Sequence, residues 1–322
     1  MRVLILGYSK FVQNRVLPAL SKLPDISVDI VSVSGSGNIS SQADSVDRIF
    51  YNYDTALLES KADIVYVSTV NSTHALLVEK ALRKGSHVIV DKPAFINFKD
   101  AVRLTNLADK SKLCLAESNI YEYHRQIDLI KDIFKQSNSA PIKLIAAFSF
   151  PPMNPDNFRY SKKLGGGALW DLGPYAVSIG RIFFNEQPQE IIARVGSITG
   201  KDNIDISFFV LARYSGGRSM IGEFGFDTEY RNYLNVLGPE TSVSLSRIFT
   251  TPADMQNELQ IQQQNKNSVV RVPNSDNFLN FFEKLTDAVK TGGYGEFSRI
   301  LLADAFSLKK LRKSALGGFG CR

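Results

Sequence analysis

The chain is poor in the residues that build covalent or metal frameworks. Only Cys114 and Cys321 occur among 322 residues. That excludes a disulfide scaffold and a four-cysteine zinc site, and it points to a reducing, cytoplasmic setting. Histidine is nearly as scarce. His74, His87 and His124 are the only three and show no metal-ligand spacing, so no metal is expected. Long apolar runs are missing too. None approaches the roughly 20 residues that cross a bilayer, and Val3–Leu6 is too brief for a signal-peptide core, so no membrane partner is expected. There is no internal repeat, and the one polar tract, Gln256–Asn267, reads as a sheet edge or loop.

What remains is ordinary globular composition, 44% hydrophobic and 22% charged. The length suits roughly two domains. Lysine and arginine total 38 against 32 acidic residues, a net charge of +6. A nucleic-acid binder would gather its cations on one face. The one dense cluster, Lys309, Lys310, Arg312 and Lys313, reads instead as a helix end whose cations complement the helix dipole. No nucleic acid is expected, while an anionic small ligand such as a nucleotide suits the charge.

Short apolar strands at Val3–Leu6, Val28–Val33, Ile64–Ser68, His87–Val90 and Leu113–Ala116 alternate with helical patterns over Phe11–Leu23, His74–Lys84 and Lys99–Lys110. Such alternation implies right-handed crossovers and a parallel sheet covered on both faces. From about residue 140 the pattern changes. Leu144–Phe150, Ile204–Tyr214, Ser219–Phe226, Tyr230–Leu237, Leu259–Gln263 and Ser268–Val272 read as an antiparallel meander. Helices fall near Ala168–Phe184, from Phe278 to Val289 (stopped by Gly292), and over Ser298–Arg312. The expected fold is an α/β doubly wound domain over residues 1–120. An α+β domain with a large, open, mainly antiparallel sheet follows over 121–322.

Three segments carry chemistry. The first strand ends at Gly7, and residues 7–12 read G-x-S-x-x-V where a dinucleotide fingerprint reads G-x-G-x-x-G. Gly7 keeps the tight turn. Ser9 is small and can hydrogen bond a pyrophosphate, with helix N-terminal amides completing the cradle. After the second strand, Ser34 stands in a Ser/Gly stretch with no acidic residue for the ribose hydroxyls. That favours a 2′-phosphate and NADP over NAD, with Lys10 as a candidate cation. Lys92 lies at the carboxyl end of the His87–Val90 strand, where doubly wound sheets bind ligands. Finally, Gly165-Gly166-Gly167-Ala168-Leu169-Trp170-Asp171-Leu172-Gly173-Pro174-Tyr175 joins three glycines, which permit close backbone approach, to Asp171 and Tyr175 at i, i+4.

These motifs come in the order seen in a known family. With Asp63–Ser68, Asn71-Ser72-Thr73-His74, Gly85–Val88, Asp91-Lys92-Pro93 and Asn157-Phe158-Arg159-Tyr160, the chain resembles the Gfo/Idh/MocA oxidoreductases along almost its whole length. It is most similar to their sugar ketoreductase and glucose–fructose oxidoreductase branch. It departs from the family at Val70 (usually proline), at Asp91 (usually glutamate) and in the incomplete glycine fingerprint. The resemblance implies a Rossmann domain, and a second domain whose open sheet forms the substrate site and the interface of a homodimer or homotetramer. It implies Lys92, Tyr175 and Asp171 as the catalytic set: Tyr175 as proton donor, Lys92 assisting and Asp171 orienting. Gly7, Ser9, Lys10, Phe11, Ser34, Thr69, Asn71, His74, Asp91, Lys92, Arg159 and Trp170 are the positions expected near NADP or NAD. The expected reaction is NAD(P)H-dependent reduction of a keto group on a sugar, a nucleotide-linked 3-keto sugar being the leading substrate. Two other readings stay open: an NAD-dependent dehydrogenase of a free sugar, polyol or inositol, and a non-catalytic dinucleotide-binding regulator.

Overall fold

A computed structural model describes residues 1–33 and 46–317. Ser34 and Cys321 lie outside them. Among the described residues no helix is long and apolar enough to cross a membrane, and no cluster of three His, Cys, Asp or Glu residues could hold a metal ion. The chain forms two compact units, Met1–Ser118 with Phe278–Leu302, and Asn119–Asn277 with the chain from Ala303 on.

The first unit holds six parallel strands: β1 (Arg2–Leu6), β2 (Ser27–Val31), β3 (Arg48–Phe50), β4 (Ile64–Val67), β5 (His87–Val90) and β6 (Leu115–Glu117). Their order is β3-β2-β1-β4-β5-β6. The direction of winding therefore reverses between β1 and β4, and a crevice opens there at the strands' carboxyl ends. Central strands read as continuous apolar runs because both sheet faces are covered; β4 is buried at all four positions. One charge lies inside this sheet. Asp29 on β2 is fully buried and takes Arg48 Nη2 at 2.6 Å, Arg2 Nη1 at 2.9 Å and Ser60 Oγ at 2.6 Å. It is the middle residue of β2, and through Arg48 it holds the edge strand β3.

The helices are α1 (Leu17–Leu20, preceded by a π-helical turn at Val12–Val16), α2 (Tyr53–Glu59), α3 (His74–Arg83) and α4 (Phe98–Lys110). Then come α5 (Arg125–Gln136), α6 (Ala168–Asp171), α7 (Gly173–Phe184), α8 (Asn277–Thr291) and α9 (Gly295–Gly317). The expected division at residue 120 gave everything beyond it to the second domain, and packing corrects this. Phe282 sets its edge on Tyr66 of β4 at 6.0 Å between ring centroids, and Phe278 meets Phe11 at 5.5 Å. Tyr294 meets His87 at 5.3 Å, and its hydroxyl donates to Lys112 O. The phenylalanine spacing marked a buried helix face but not which core it enters.

The second unit is built on eight strands: β7 (Lys143–Ser149), β8 (Glu190–Thr199), β9 (Ile204–Arg213), β10 (Ser219–Gly225), β11 (Arg231–Leu237), β12 (Thr241–Ser246), β13 (Asn257–Gln263) and β14 (Lys266–Val272). They run in the order β14-β13-β12-β11-β7-β10-β9-β8. All pairs are antiparallel except β7 with β10. Alternate residues from this sheet join α5, α6, α7 and the end of α9 in one core. The opposite face is open. Across it, Arg194, Phe209 and Glu223 stand in one cross-strand row, and Ile192, Leu211, Ile221 and Ile145 in the next. Phe209 and Ile221 are each about half exposed, at 51% and 54%.

The assignment of α8 to the first unit can be checked. Phe282→Ala removes a nearly fully buried ring and is expected to cost about 3–5 kcal/mol. Urea denaturation followed on the first unit's transition measures it, and a loss below about 1 kcal/mol would contradict this packing.

Candidate active site

The site residues fall on both units, and each group is built by its own unit. In the first, Gly7 ends β1 with φ +113. A Cβ there would stand 2.1 Å from Ser68 O and 3.4 Å from Thr69 Cγ2. Only glycine lets the β1 turn pass this close to the end of β4, at the reversal of the strand order. Ser9 Oγ accepts from Val12 N at 3.2 Å. The serine that replaces a fingerprint glycine thus caps the helical turn after it, and its own O–H still has a proton to donate. Val12 is fully buried where the third glycine would stand, and the helix takes π geometry over Val12–Val16, a form that recurs at functional sites. Lys10 is exposed. Phe11 is partly exposed, with its ring against Phe278.

Other expected cofactor positions turn out to build the crevice. Asp91 follows β5. Its Oδ1 accepts from Tyr66 Oη at 2.5 Å and Ser118 Oγ at 3.0 Å, and its Oδ2 from Ser68 Oγ at 2.6 Å. Burial, followed by the charge of Asp91, holds the Tyr66 phenol well above its ordinary pKa, so it remains a donor. Asp91 therefore ties strand ends together, where the sequence suggested a group turned toward the dinucleotide. His74 opens α3 and is fully buried. Nδ1 lies 3.0 Å from Pro93 O and Nε2 3.1 Å from Thr69 O. Both ring nitrogens face backbone carbonyls, so the ring braces two chain segments. Thr69 Oγ1 pairs with Thr73 Oγ1 at 2.7 Å, and Asn71 is buried. Lys92 is half-buried between Asp91 and Pro93.

In the second unit, the expected single helix breaks at Leu172, so Asp171 ends α6 while Tyr175 lies on α7. Asp171 Oδ2 accepts from Arg159 Nε at 2.8 Å; this arginine thus serves as the carboxylate's ion partner. Burial opposes the Arg159 charge, but the Asp171 carboxylate and then the Tyr175 phenol outweigh it, and its pKa is raised. Tyr175 is half-buried among the rings of Phe249, Phe148 and Tyr121, at centroid distances of 4.9, 5.4 and 5.6 Å. Tyr121 is committed elsewhere. Ser178 Oγ donates to Pro174 O at 2.7 Å, so the Tyr121 hydroxyl donates to Ser178 at 2.7 Å, and burial pushes its pKa well up. Tyr175 is half-buried where Tyr121 is fully buried.

The glycine run approaches protein. A Cβ on Gly166 would meet Arg159 O at 2.4 Å, and one on Gly167 would meet Asp205 Oδ1 at 2.6 Å. Trp170 carries the Arg312 guanidinium 3.7 Å from its ring centroid. Burial lowers the Arg312 pKa to about 10. One face of the indole is therefore taken up inside the second unit. Sequence reasoning missed Glu117, whose Oε1 accepts from Ala94 N at 2.7 Å. Its position at the carboxyl end of a predicted parallel strand was the available signal.

Comparison with known proteins fits this architecture. The profile of the "Oxidoreductase family, NAD-binding Rossmann fold" matches residues 1–118, and that of the "GFO/IDH/MocA C-terminal domain" matches residues 140–244. The chain belongs to the Gfo/Idh/MocA oxidoreductase family. Among its relatives are two proteins named dTDP-3,4-didehydro-2,6-dideoxy-alpha-D-glucose 3-reductase. The one from Saccharopolyspora spinosa is 27% identical, over 85% of this chain and 83% of the relative. The one from Actinomadura kijaniata is also 27% identical, over 98% and 95%. A crystal structure of a 3-ketoreductase from Actinomadura kijaniata with NADP and TDP-benzene superposes with a TM-score of 0.87 at 25% identity, covering 98% of both chains. A dinucleotide fits what this chain presents: a turn without a Cβ at the switch point, a capped helix start and a serine hydroxyl with a free proton.

Gly7→Ala tests that reading of the crevice. The added methyl would meet a backbone carbonyl at a positive φ, and strain of this kind costs on the order of 1–3 kcal/mol. Thermal unfolding should show a lowered midpoint, and NADPH fluorescence titration should show weakened binding. Wild-type stability together with wild-type affinity would refute the tight approach.

Proposed function

We propose that this protein is an NADPH-dependent reductase of the 3-keto group of a nucleotide-linked sugar. The observation that carries the reading is the full-length likeness to dTDP-sugar 3-reductases, joined to a structural neighbour crystallised with NADP and TDP-benzene. Gly7, Ser9 and the amides after Ser9 would hold the dinucleotide's phosphates, and bound NADPH would supply the hydride. The rest is the protein's task. The alkoxide that emerges on the sugar needs a proton. Tyr175 gives it, from a ring fixed on three sides by aromatic neighbours, with the Arg159 guanidinium within electrostatic reach of the phenolate left behind. Asp171 holds that guanidinium in place. Lys92 adds positive charge and an N–H donor for the substrate oxygen.

Steady-state turnover of dTDP-3,4-didehydro-2,6-dideoxy-α-D-glucose, generated in the assay, tests this with NADPH absorbance as readout. Tyr175→Phe and Lys92→Ala should each lower kcat on the order of 10²–10⁴-fold while thermal unfolding stays unchanged. Wild-type turnover in either variant removes that residue from the mechanism. Faster oxidation of free sugars or polyols by the wild-type chain would favour the dehydrogenase reading. NADPH binding without turnover of any carbonyl substrate would favour the regulator.

The proposal includes a second copy of the chain on the open face of the eight-stranded sheet. Phe209 stands between Arg194 and Glu223 in its row. A two-fold axis through Phe209 would bring each copy's Arg194 to the other's Glu223, and C2 interfaces are self-complementary in this way. Phe209→Lys should halve the mass seen by sedimentation velocity. An unchanged mass would exclude this face as the interface.

A further inference from the structure

The segment that carries Lys92 is held in an unusual way. The Pro93–Ala94 peptide has its two polar groups bonded to side chains from different elements. His74, the first residue of α3, places Nδ1 3.0 Å from Pro93 O. Glu117, the last residue of β6, places Oε1 2.7 Å from Ala94 N. A trans or cis neighbour leaves this unit itself planar, and its C=O and N–H point in opposite directions. Rotating the plane would therefore break both bonds together. The carbonyl cannot donate, so the bond to Pro93 O forms with the imidazole proton on Nδ1. Nε2 lies 3.1 Å from Thr69 O, just past β4, so the ring sits between that strand end and the same peptide. Just before Lys92, Asp91 is anchored by three hydroxyls. Ala94 and Pro93 are buried, so water does not replace a lost bond there, and an unpaired N–H or C=O would carry its full desolvation penalty.

We propose that Glu117 and His74 are positioning residues that clamp the Pro93–Ala94 peptide and thereby fix the direction in which the Lys92 side chain leaves the backbone. This rests on the reading of Lys92 as a catalytic group. Neither residue needs to touch substrate or cofactor. Their effect comes through Lys92, because displacement of a catalytic group by about 1 Å can cost on the order of a hundredfold in rate. The clamp also accounts for two polar residues, at the end of β6 and the start of α3, whose side chains reach the same backbone peptide.

The test uses the full chain. Glu117→Ala should speed amide hydrogen exchange at Ala94, and Glu117→Gln, whose amide oxygen accepts the same bond, should restore protection. In turnover of the dTDP-sugar above, Glu117→Ala should lower kcat about ten- to a hundredfold, leave the Kd for NADPH unchanged, and be largely rescued in Glu117→Gln. On a Lys92→Ala background the same change should have almost no further effect, since coupled residues are non-additive. Unchanged exchange at Ala94 overturns the clamp. A kcat loss that multiplies with that of Lys92→Ala overturns its action through Lys92. A Lys92→Ala chain as active as wild type shows instead that the reading of Lys92 itself has failed, and it does so with Glu117 intact.

Discussion

One carboxylate organises the first unit's crevice. Asp91 accepts hydrogen bonds from Tyr66 on β4, Ser68 just past β4 and Ser118 just past β6. Three neighbouring parallel strands are thereby tied at their carboxyl ends, in addition to the backbone bonds from Asp91 N to Val67 O and from Ser118 N to Val90 O. The donors are side-chain hydroxyls at strand ends, and charge-assisted bonds of this kind are among the stronger ones. Where the family carries glutamate, this chain carries a side chain one methylene shorter, and the carboxylate lies where the three hydroxyls converge. The residue after it is Lys92. The Asp91 network thus fixes the backbone from which it leaves.

That arrangement changes how the polar residues around the crevice are understood. Asp91 and His74 share the motifs that suggested cofactor contact, and both have their hydrogen-bonding atoms turned to protein. In the second unit, Trp170 has Arg312 over one ring face and Arg159 Nε pairs with Asp171. Short motifs in such a family mix two kinds of residue: those that meet a ligand and those that hold the backbone from which the first kind project. Sequence spacing does not separate them, because both must lie at the same strand ends. Distances do.

The doubly wound sheet was legible because buried parallel strands are short apolar runs bounded by turns; β1, β4 and β5 show this, and β2 shows it apart from Asp29. Arg48–Phe50 escaped notice, being three residues long with an exposed start on the sheet edge. Glu190–Thr199 was missed because its outward residues, Ile192 and Ile198, are apolar and blur the alternation that marks a one-sided strand. The amphipathic helix Arg125–Gln136 has a clear apolar stripe and was overlooked beside the domain boundary. The ownership of α8 could not be read at all. A stripe of phenylalanines states that a face is buried, and only the fold says that Tyr66 and Phe11 are what it is buried against. For the site, Lys92, Tyr175 and Gly7 stood out by residue type and position. Glu117 and the hydroxyls around Asp91 did not, since serine, tyrosine and glutamate at strand ends are common and their partners are distant in sequence.

The degenerate glycine fingerprint follows the same physics. The first glycine of a dinucleotide turn is set by backbone sterics: at Gly7 any Cβ would collide with Ser68 O, so no other residue can stand there without moving a strand. The second position only has to be small where the phosphates approach. Serine meets that condition and adds a cap, because its oxygen takes Val12 N while its proton stays available. The third position governs how closely helix and strand pack, and it is the one a fold can relax. Here Val12 is fully buried, and the helix that starts beside it takes up the wider π geometry through Val16. The order in which the motif decays is thus the order of its steric cost, with the irreplaceable residue kept and the most adjustable one lost.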